Sequence, residues 1–201
     1  QFCTQPGVIF MVRGERTDSF LQRLAALVAG TPAGTMLTKG MQIAYEHACV
    51  ARSALSGVKE IARTTDQADP AQVPAALFAV DAESFLASGE LSEEIFGPTS
   101  LVVLCQSLED FVRCARHLPG QLTATVHAES AERDKATDLL WELEQKAGRL
   151  IWNGFPTGVE VGTAMVHGGP FPATSDSRFT SVGTRSLYRF VRPVAYQGFE
   201  P

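Results

Sequence analysis

The chain has 201 residues, of which 45% are hydrophobic and 19% are charged, and its formal net charge at neutral pH is −5. This length and composition are sufficient for one globular domain with a complete core. The acidic balance and the lack of a Lys and Arg cluster argue against nucleic acid or an anionic membrane surface as the main partner.

No apolar run approaches the ~20 residues that a membrane helix needs, and no basic-then-apolar leader opens the chain. We therefore expect a cytoplasmic protein. The chain contains four cysteines, and their spacing matches neither a metal site nor a disulfide framework. Reduced thiols and no bound metal are the expectation. The first residue is Gln, so we expect the chain to start inside a larger protein.

The first part of the chain alternates breaker-rich loops with apolar segments. Residues 8–12 form a short apolar run that predicts a buried strand. Helical spacing of apolar residues predicts a helix over 20–28. A second helix over 39–56 is predicted by a softer stripe of Met41, Ala44, Ala48, Ala51 and Leu55. Residues 64–74 are polar and predict a linker.

The second part predicts alternating strands and helices. Strands are expected at 76–80, 100–105, 122–127 and 150–152, with helices at 107–118 and 131–147. This alternation implies an α/β fold with a mostly parallel sheet covered by helices. A long loop rich in Gly, Pro, Thr and Ser follows at 153–181, and such loops often carry function. A short helix near 183–190 and a strand near 191–196 end the chain.

The segment 93–98 has the sequence EEIFGP, which suits neither a helix nor a strand. In an extended backbone Glu94 and Phe96 project to the same side, so a hydrogen-bond acceptor lies beside a flat apolar face. That pairing suits a ring that carries hydroxyl groups. The alternative is an ordinary turn with a solvated Glu and a core Phe.

Cys3 differs from the other cysteines because it precedes a core strand in a loop. A thiolate there is a candidate nucleophile for a carbonyl carbon. Cys49, Cys105 and Cys114 fall in predicted helices or strands, where a small buried hydrophobe is the ordinary role. Among the histidines, His167 alone lies in the long loop.

These motifs, taken in order, resemble the C-terminal catalytic half of the aldehyde dehydrogenase superfamily. They are QFCT at 1–4, EEIFGP at 93–98, and the asparagine and Gly-Gly loop after the last crossover. The runs NGFPTGVEV at 153–161 and MVHGGPFPATSD at 165–176 are similar to the α-ketoglutarate semialdehyde (2,5-dioxopentanoate) dehydrogenase branch. SVGT at 181–184 and RFVRPV at 189–194 support this assignment.

The resemblance implies roles for five residues. Cys3 matches the nucleophile that forms a thiohemiacetal and then a thioester with the aldehyde. Glu94 matches the carboxylate that holds the nicotinamide ribose of NAD or NADP, and Phe96 matches the aromatic residue beside that sugar. Phe155 and His167 fall where the family lines its substrate tunnel.

The resemblance also implies parts that this sequence lacks. The general-base glutamate, the oxyanion-hole asparagine and the dinucleotide-binding domain all precede the nucleophile in the family. We therefore expect residues 1–190 to be a catalytic-domain fragment that is inactive alone and needs the missing N-terminal cofactor domain. Residues 191–201 are expected to form an oligomerisation strand and tail, which implies a homo-oligomer.

Two other classes of function stay open on the sequence. The chain could be a binding or dimerisation module that keeps the fold without turnover. It could also be a cysteine hydrolase that uses Cys3 with His167, although no orienting partner for such a dyad is identified.

Overall fold

The computed structural model describes residues 2–66 and 69–200. Gln1 of the predicted nucleophile motif and residues 67–68 of the predicted linker lie outside the described residues. The chain divides into two compact units, one made of Gln1–Leu118 with Asp134–Glu142 and the other of Pro119–Arg133 with Leu143–Pro201. Each unit is described separately below.

The first unit contains a four-stranded sheet and its helices. Its elements are β1 (Val8–Val12), α1 (Thr17–Ala29), β2 (Gly34–Thr35), α2 (Lys39–Ala54), β3 (Lys59–Arg63), β4 (Gln72–Val73), β5 (Ala76–Asp81), α3 (Ala82–Ala87), β6 (Thr99–Cys105) and α4 (Leu108–His117). The main sheet has the order β1-β6-β5-β3, in which β1, β6 and β5 are parallel and β3 is antiparallel to β5. Strands β2 and β4 form a small antiparallel pair.

Helices cover both faces of this sheet. Alternate residues of β5 and β6, such as Phe78 and Leu101, pack in a core with residues of α2, α3 and α4. The intervening residues, such as Leu77 and Val102, pack against Leu24 and its neighbours on α1. Because both faces are covered, β5 and β6 are buried along almost their whole length. The predicted mostly parallel sheet covered by helices is confirmed.

Side-chain oxygens cap the first turns of α4 and α2. The Ser107 hydroxyl accepts a hydrogen bond from the Asp110 amide at 3.2 Å, and the Asp110 carboxylate accepts one from the Gln106 amide at 2.8 Å. Thr38 caps α2 in the same way by accepting from the amide of Met41. These contacts satisfy amide groups that have no partner within the helix.

The second unit is built on a parallel strand pair. It contains β7 (Gln121–Val126) and β8 (Ala147–Trp152), with α5 (Thr137–Lys146) between them along the chain and contributing residues to both units. The Gly-Gly loop packs on these strands so closely that a β-carbon added to Gly148 would lie 2.2 Å from the carbonyl oxygen of Gly168. Glycine is required there by the close backbone approach.

The structure differs from the predicted fold in several places. The strand at 122–127 does not continue the first sheet; it pairs with β8, and its partial exposure along every residue suits a strand outside a doubly covered sheet. Strand β3 was not predicted. The stripe predicted for α2 is displaced from the buried face. The buried residues are Gln42, Tyr45, Cys49 and Arg52, whereas Ala48 and Leu55 of the predicted stripe are only partly buried against the core. Helix α5 begins at Thr137, after short 3-10 turns at 130–136, rather than near 131.

Residues 191–196 form no strand in this structure, and their side chains are exposed. A strand needs a hydrogen-bonded neighbour, which the described residues of this chain do not supply. The role of residues 191–196 in oligomerisation stays a prediction, as does the domain boundary at residue 190. A short 3-10 helix at Thr184–Arg189 replaces the predicted helix near 183–190.

Candidate active site

Cys3 lies in a turn directly before β1. The amide of Gln5 donates to the carbonyl of Phe2 at 3.1 Å, which closes the turn around the cysteine. The Cys3 side chain is exposed, whereas the neighbouring Thr4 is 8% exposed and anchors the turn. The structure therefore places the predicted nucleophile at the surface of the first unit, on a loop with one buried attachment.

The segment that carries Cys3 runs beside the start of β6. The amide of Leu101 donates to the carbonyl of Gly7 at 2.9 Å, and the hydroxyl of Ser100 donates to the carbonyl of Pro6 at 2.6 Å. Because β1 and β6 are parallel neighbours, the loops that precede them leave the same edge of the sheet. The loop before β6 is the predicted cofactor segment.

Glu94 and Phe96 are both exposed on that segment, and Phe96 is 57% exposed. Ile95 between them is 9% exposed and belongs to the core. This alternation is what an extended backbone produces, so the carboxylate and the ring project away from the core together. Both side chains are exposed, as the prediction requires, and their roles stay predictions.

The end of this segment is fixed by Tyr45 of α2. Tyr45 is 1% exposed, and burial raises the pKa of its hydroxyl above the ordinary value. The hydroxyl lies 2.7 Å from the carbonyl oxygen of Pro74 and 3.4 Å from that of Pro98. Its ring packs so closely on Gly97 that a β-carbon there would lie 2.1 Å from Cδ2. Only glycine leaves room for this contact.

Arg52, one helical turn beyond Cys49 on the same face of α2, fixes the beginning of the segment. Its side chain is 5% exposed, and Nη2 donates to the carbonyl of Glu93 at 2.7 Å. A second carbonyl, that of Glu90, lies 3.5 Å from the same nitrogen. Neither Tyr45 nor Arg52 was predicted as a site residue; the signal available in the sequence was their spacing of seven positions, which puts them on one helix face.

The remaining cysteines lie in the core of the first unit. Cys49 is 1% exposed, and burial raises the pKa of its thiol. Cys105 and Cys114 are fully buried beside each other. The hydrogen bond that the Cys105 thiol donates to Cys114, followed by burial, raises the pKa of Cys105, and the same hydrogen bond lowers the pKa of Cys114. The raised pKa values favour neutral thiols at Cys49 and Cys105, and burial shields all three sulfurs from reagents in solution.

His167 lies in the second unit within the long loop. Its amide donates to the hydroxyl oxygen of Thr180 at 2.8 Å, and its carbonyl accepts from the amide and the hydroxyl of Ser181, both at 3.0 Å. These contacts fix the backbone on both sides of the imidazole. His167 lines a cavity of about 350 Å³, together with Leu122 and Arg189.

Phe155 and His167 are not brought into one cavity within the second unit. Phe155 is 79% exposed, and its ring centroid lies 5.7 Å from that of His127. Phe155 is not among the described residues that line the cavity beside His167. Their shared role in substrate binding stays a prediction.

Asn153 and Arg149 hold the beginning of the long loop. The Asn153 side chain accepts a hydrogen bond from the amide of Ala128 at 2.9 Å and donates one to the carbonyl of Ala128 at 2.8 Å. The backbone of Asn153 has a φ of 51°. Arg149 donates to the carbonyls of Pro156 at 2.6 Å and Gly158 at 3.3 Å. Asn153 therefore has a structural role here, and Arg149 is a loop anchor that sequence reasoning missed.

Within the described ranges, no group of three or more His, Cys, Asp or Glu residues is arranged to hold a metal ion. No helix in the described part of the chain is long and apolar enough to span a membrane.

Two of the sequence relatives of this chain are α-ketoglutaric semialdehyde dehydrogenases. The α-ketoglutaric semialdehyde dehydrogenase 2 of Azospirillum brasilense is 47% identical over 199 residues, which are 99% of this chain and 38% of that protein. The α-ketoglutaric semialdehyde dehydrogenase of Acinetobacter baylyi is 43% identical over 199 residues, which are 98% of this chain and 38% of that protein. No protein-family model matches the chain.

This chain resembles an aldehyde dehydrogenase. The predicted resemblance to the C-terminal portion of the α-ketoglutarate semialdehyde branch is confirmed. The aldehyde-dehydrogenase-like fold is supported by the crystal structure of lactaldehyde dehydrogenase from Escherichia coli, which has a TM-score of 0.74 at 19% identity and is matched over 96% of this chain and 40% of that one. The chain spans about two fifths of the length of the proteins that it matches.

Proposed function

We propose that the natural protein containing this chain oxidises a semialdehyde, α-ketoglutarate semialdehyde, to the carboxylate with NAD or NADP. The observation that carries the proposal is that the Cys3 loop and the loop of Glu94 and Phe96 precede two paired parallel strands, β1 and β6, and so leave the sheet at the same strand ends. The sequence likeness to two α-ketoglutaric semialdehyde dehydrogenases supports the choice of substrate.

Cys3 is the proposed nucleophile. Its thiolate attacks the aldehyde carbon, a C–S bond forms, and the electron pair of the carbonyl moves to oxygen to give a thiohemiacetal. An exposed sulfur on a short loop is accessible to this attack, whereas the three buried thiols are not. After oxidation of the carbon, the resulting thioester is hydrolysed and the Cys3 thiol is regenerated.

Glu94 and Phe96 fit a nicotinamide riboside. The Glu94 carboxylate accepts hydrogen bonds only, which suits the paired hydroxyls of a ribose, and the exposed Phe96 ring offers an apolar face to the sugar and the nicotinamide. When bound, the nicotinamide accepts hydride from the substrate carbon. Neither side chain is used in the core, so both are available for this contact.

The second unit supplies the proposed substrate contacts. Phe155 offers an exposed apolar surface, and His167 lies in a cavity next to Arg189, where a carboxylate-bearing substrate would find cationic and hydrogen-bonding groups. We propose that the 201-residue chain alone does not turn over. In this proposal the chain contacts only the nicotinamide end of the cofactor, so the nicotinamide is not held firmly against the substrate. Correct positioning of reactants accounts for about 7 to 11 kcal/mol of barrier reduction in favourable cases, and most of that reduction would be lost.

The test is an assay of the natural protein with α-ketoglutarate semialdehyde and either cofactor, following the absorbance of the reduced nicotinamide. We expect turnover in the wild type and none in Cys3→Ser, with binding of reduced cofactor retained by that variant. Retained binding separates loss of the nucleophile from loss of the fold.

A non-carboxylated aldehyde of similar length is the matched control for the substrate. Equal kcat/KM for both aldehydes would contradict the proposed substrate, and full activity of Cys3→Ser would contradict the proposed nucleophile. Sustained turnover by the 201-residue chain, after removal of contaminating full-length enzyme, would contradict the proposal that it is inactive alone.

A further inference from the structure

We propose that Arg52 is a positioning residue that aims the Glu94 carboxylate, and that it sets cofactor affinity rather than the rate of the chemical steps. The inference rests on the proposed role of Glu94. It concerns a side chain of α2 that lies 42 positions earlier in the chain and is buried beneath the cofactor segment.

The contact acts on the peptide directly before Glu94. Nη2 of Arg52 lies 2.7 Å from the carbonyl oxygen of Glu93, and this is a hydrogen bond from a cation, which is shorter and stronger than one between neutral groups. The same nitrogen lies 3.5 Å from the carbonyl of Glu90, which belongs to the preceding 3-10 turn at Gly89–Ser92. Fixing the Glu93 carbonyl fixes the orientation of the Glu93–Glu94 peptide and so the direction of the Glu94 side chain.

Burial of Arg52 is unfavourable unless something compensates for it. Its side chain is 5% exposed, and burial lowers its pKa because the charged form loses hydration. An unbranched apolar residue such as Met could fill this position without a desolvation cost. The charge is instead directed at two backbone carbonyls of the cofactor segment, which indicates a requirement for fixed geometry rather than for stability alone.

The rest of the segment is attached at separate points, so the effect of Arg52 is local. Ile95 is buried in the core, Gly97 is in contact with the Tyr45 ring, and the Pro98 carbonyl accepts from the amide of Ala76 at 3.0 Å. Without Arg52, these later attachments remain and only the beginning of the segment loses its anchor. Glu94 is the first side chain after that anchor.

The expected consequence is a loss of preorganisation. In the natural protein, Arg52→Met should raise the dissociation constant of reduced cofactor roughly 3- to 10-fold, since each side chain that must be ordered on binding costs affinity of that size. The kcat at saturating cofactor should stay near that of the wild type. Hydrogen exchange at amides 93–96, measured without cofactor, should become faster.

A double-mutant cycle tests whether Arg52 acts through Glu94. Glu94→Gln, Arg52→Met and the double variant are compared for cofactor binding, with Arg113→Met as the matched control, because Arg113 is an exposed arginine of α4 in ion pairs with Glu83 and Asp110. We expect Arg52→Met to add little once Glu94 has been changed, and Arg113→Met to leave binding unchanged. Arg52→Lys, which keeps the charge, should recover part of the affinity.

The outcomes separate this inference from the proposed function. If Glu94→Gln leaves cofactor binding unchanged, the proposed role of Glu94 fails. If Glu94→Gln weakens binding but Arg52→Met does not, the inference about Arg52 is overturned while the proposed function stands. The same holds if the fold-change in the cofactor dissociation constant of the double variant equals the product of the two single fold-changes. If Arg52→Met does not fold, Arg52→Gln takes its place, and unchanged binding in that variant overturns the inference.

Discussion

The ring of Tyr45 occupies the space into which any side chain at position 97 would project. A β-carbon built on Gly97 would lie 2.1 Å from Cδ2 and 2.5 Å from Cε2 of that ring. Tyr45 is held by its hydrogen bond to the Pro74 carbonyl and is 1% exposed, so it has little room to move away. Helix α2 and the segment of Glu94 and Phe96 are therefore in direct contact through one ring and one glycine.

Gly97→Ala should destabilise the protein because the added methyl group overlaps the Tyr45 ring. Overpacking of this kind costs about 1 to 3 kcal/mol, which urea unfolding measures directly. Gly89→Ala is the matched control, since a β-carbon at Gly89 meets no atom within 4 Å. Equal unfolding free energies for the two variants would show that the ring moves aside without cost.

Cys3 should be the most reactive of the four thiols. It is exposed on a turn, whereas the other three are buried, and burial raises the pKa of Cys49. Iodoacetamide labelling at limiting reagent, read by mass spectrometry, should modify Cys3 first. The same labelling in denaturant is the control and should make all four sites comparable; faster native modification of Cys114 or Cys105 would contradict the prediction.

Asp81 should stabilise the protein at neutral pH and cease to do so in acid. Its carboxylate caps α3 by accepting from the Ser84 amide at 2.8 Å, and this bond, with others, lowers the pKa of Asp81 below the ordinary value. A carboxylate whose pKa is lower in the folded state contributes fully above the unfolded-state pKa. The contribution is lost as the pH falls through the folded-state pKa.

Asp81→Asn keeps a capping acceptor and removes the charge. It should lower the free energy of unfolding at pH 7 by about 0.3 to 1 kcal/mol, the usual size of a charge effect at a helix N-terminus. The difference between Asp81→Asn and the wild type should shrink below about pH 4, near the ordinary aspartate pKa. A difference that stays constant into acid would mean that the charge contributes nothing. Asp81→Ala, which removes the acceptor, should cost about 1 kcal/mol at pH 7.

Arg149→Met should loosen the loop that carries Phe155. The guanidinium holds the carbonyls of Pro156 and Gly158, and hydrogen bonds from charged donors contribute about 1.5 to 3 kcal/mol each. Hydrogen exchange at amides 157–165 should become faster, while exchange in α2 stays unchanged. Arg116→Met, at an exposed arginine of α4, is the control and should leave the loop unaffected.

The elements predicted correctly are those in which the pattern of apolar side chains matches the faces that are buried. Strands β5 and β6 are continuous apolar runs because they are covered on both faces, and α1 shows a clear stripe because one face packs on the sheet. The position of Cys3 before β1 and the alternation of Glu94 and Phe96 were also predicted, since both depend on local backbone geometry. These features need no knowledge of distant contacts.

The missed features depend on partners far away in the chain. Strand β3 contains charged residues at three of its five positions and is a strand only because β5 pairs with it. The inner face of α2 includes Arg52, a residue that periodicity assigns to solvent, because its acceptors are carbonyls about 40 positions later. Strand β7 has an ordinary strand pattern, which does not tell which sheet it joins.

Strand order gives the two halves of the candidate site different local stabilities. In the order β1-β6-β5-β3, β6 is paired on both sides, whereas β1 lies at the edge and, among the described residues, pairs with β6 alone. Opening β1 breaks one ladder, whereas opening β6 breaks two and exposes the core. Transient opening should therefore release the loop of Cys3 more often than the segment of Glu94 and Phe96, so that proteolytic nicking and solvent exchange begin near Cys3 while the segment at 93–98 keeps its form.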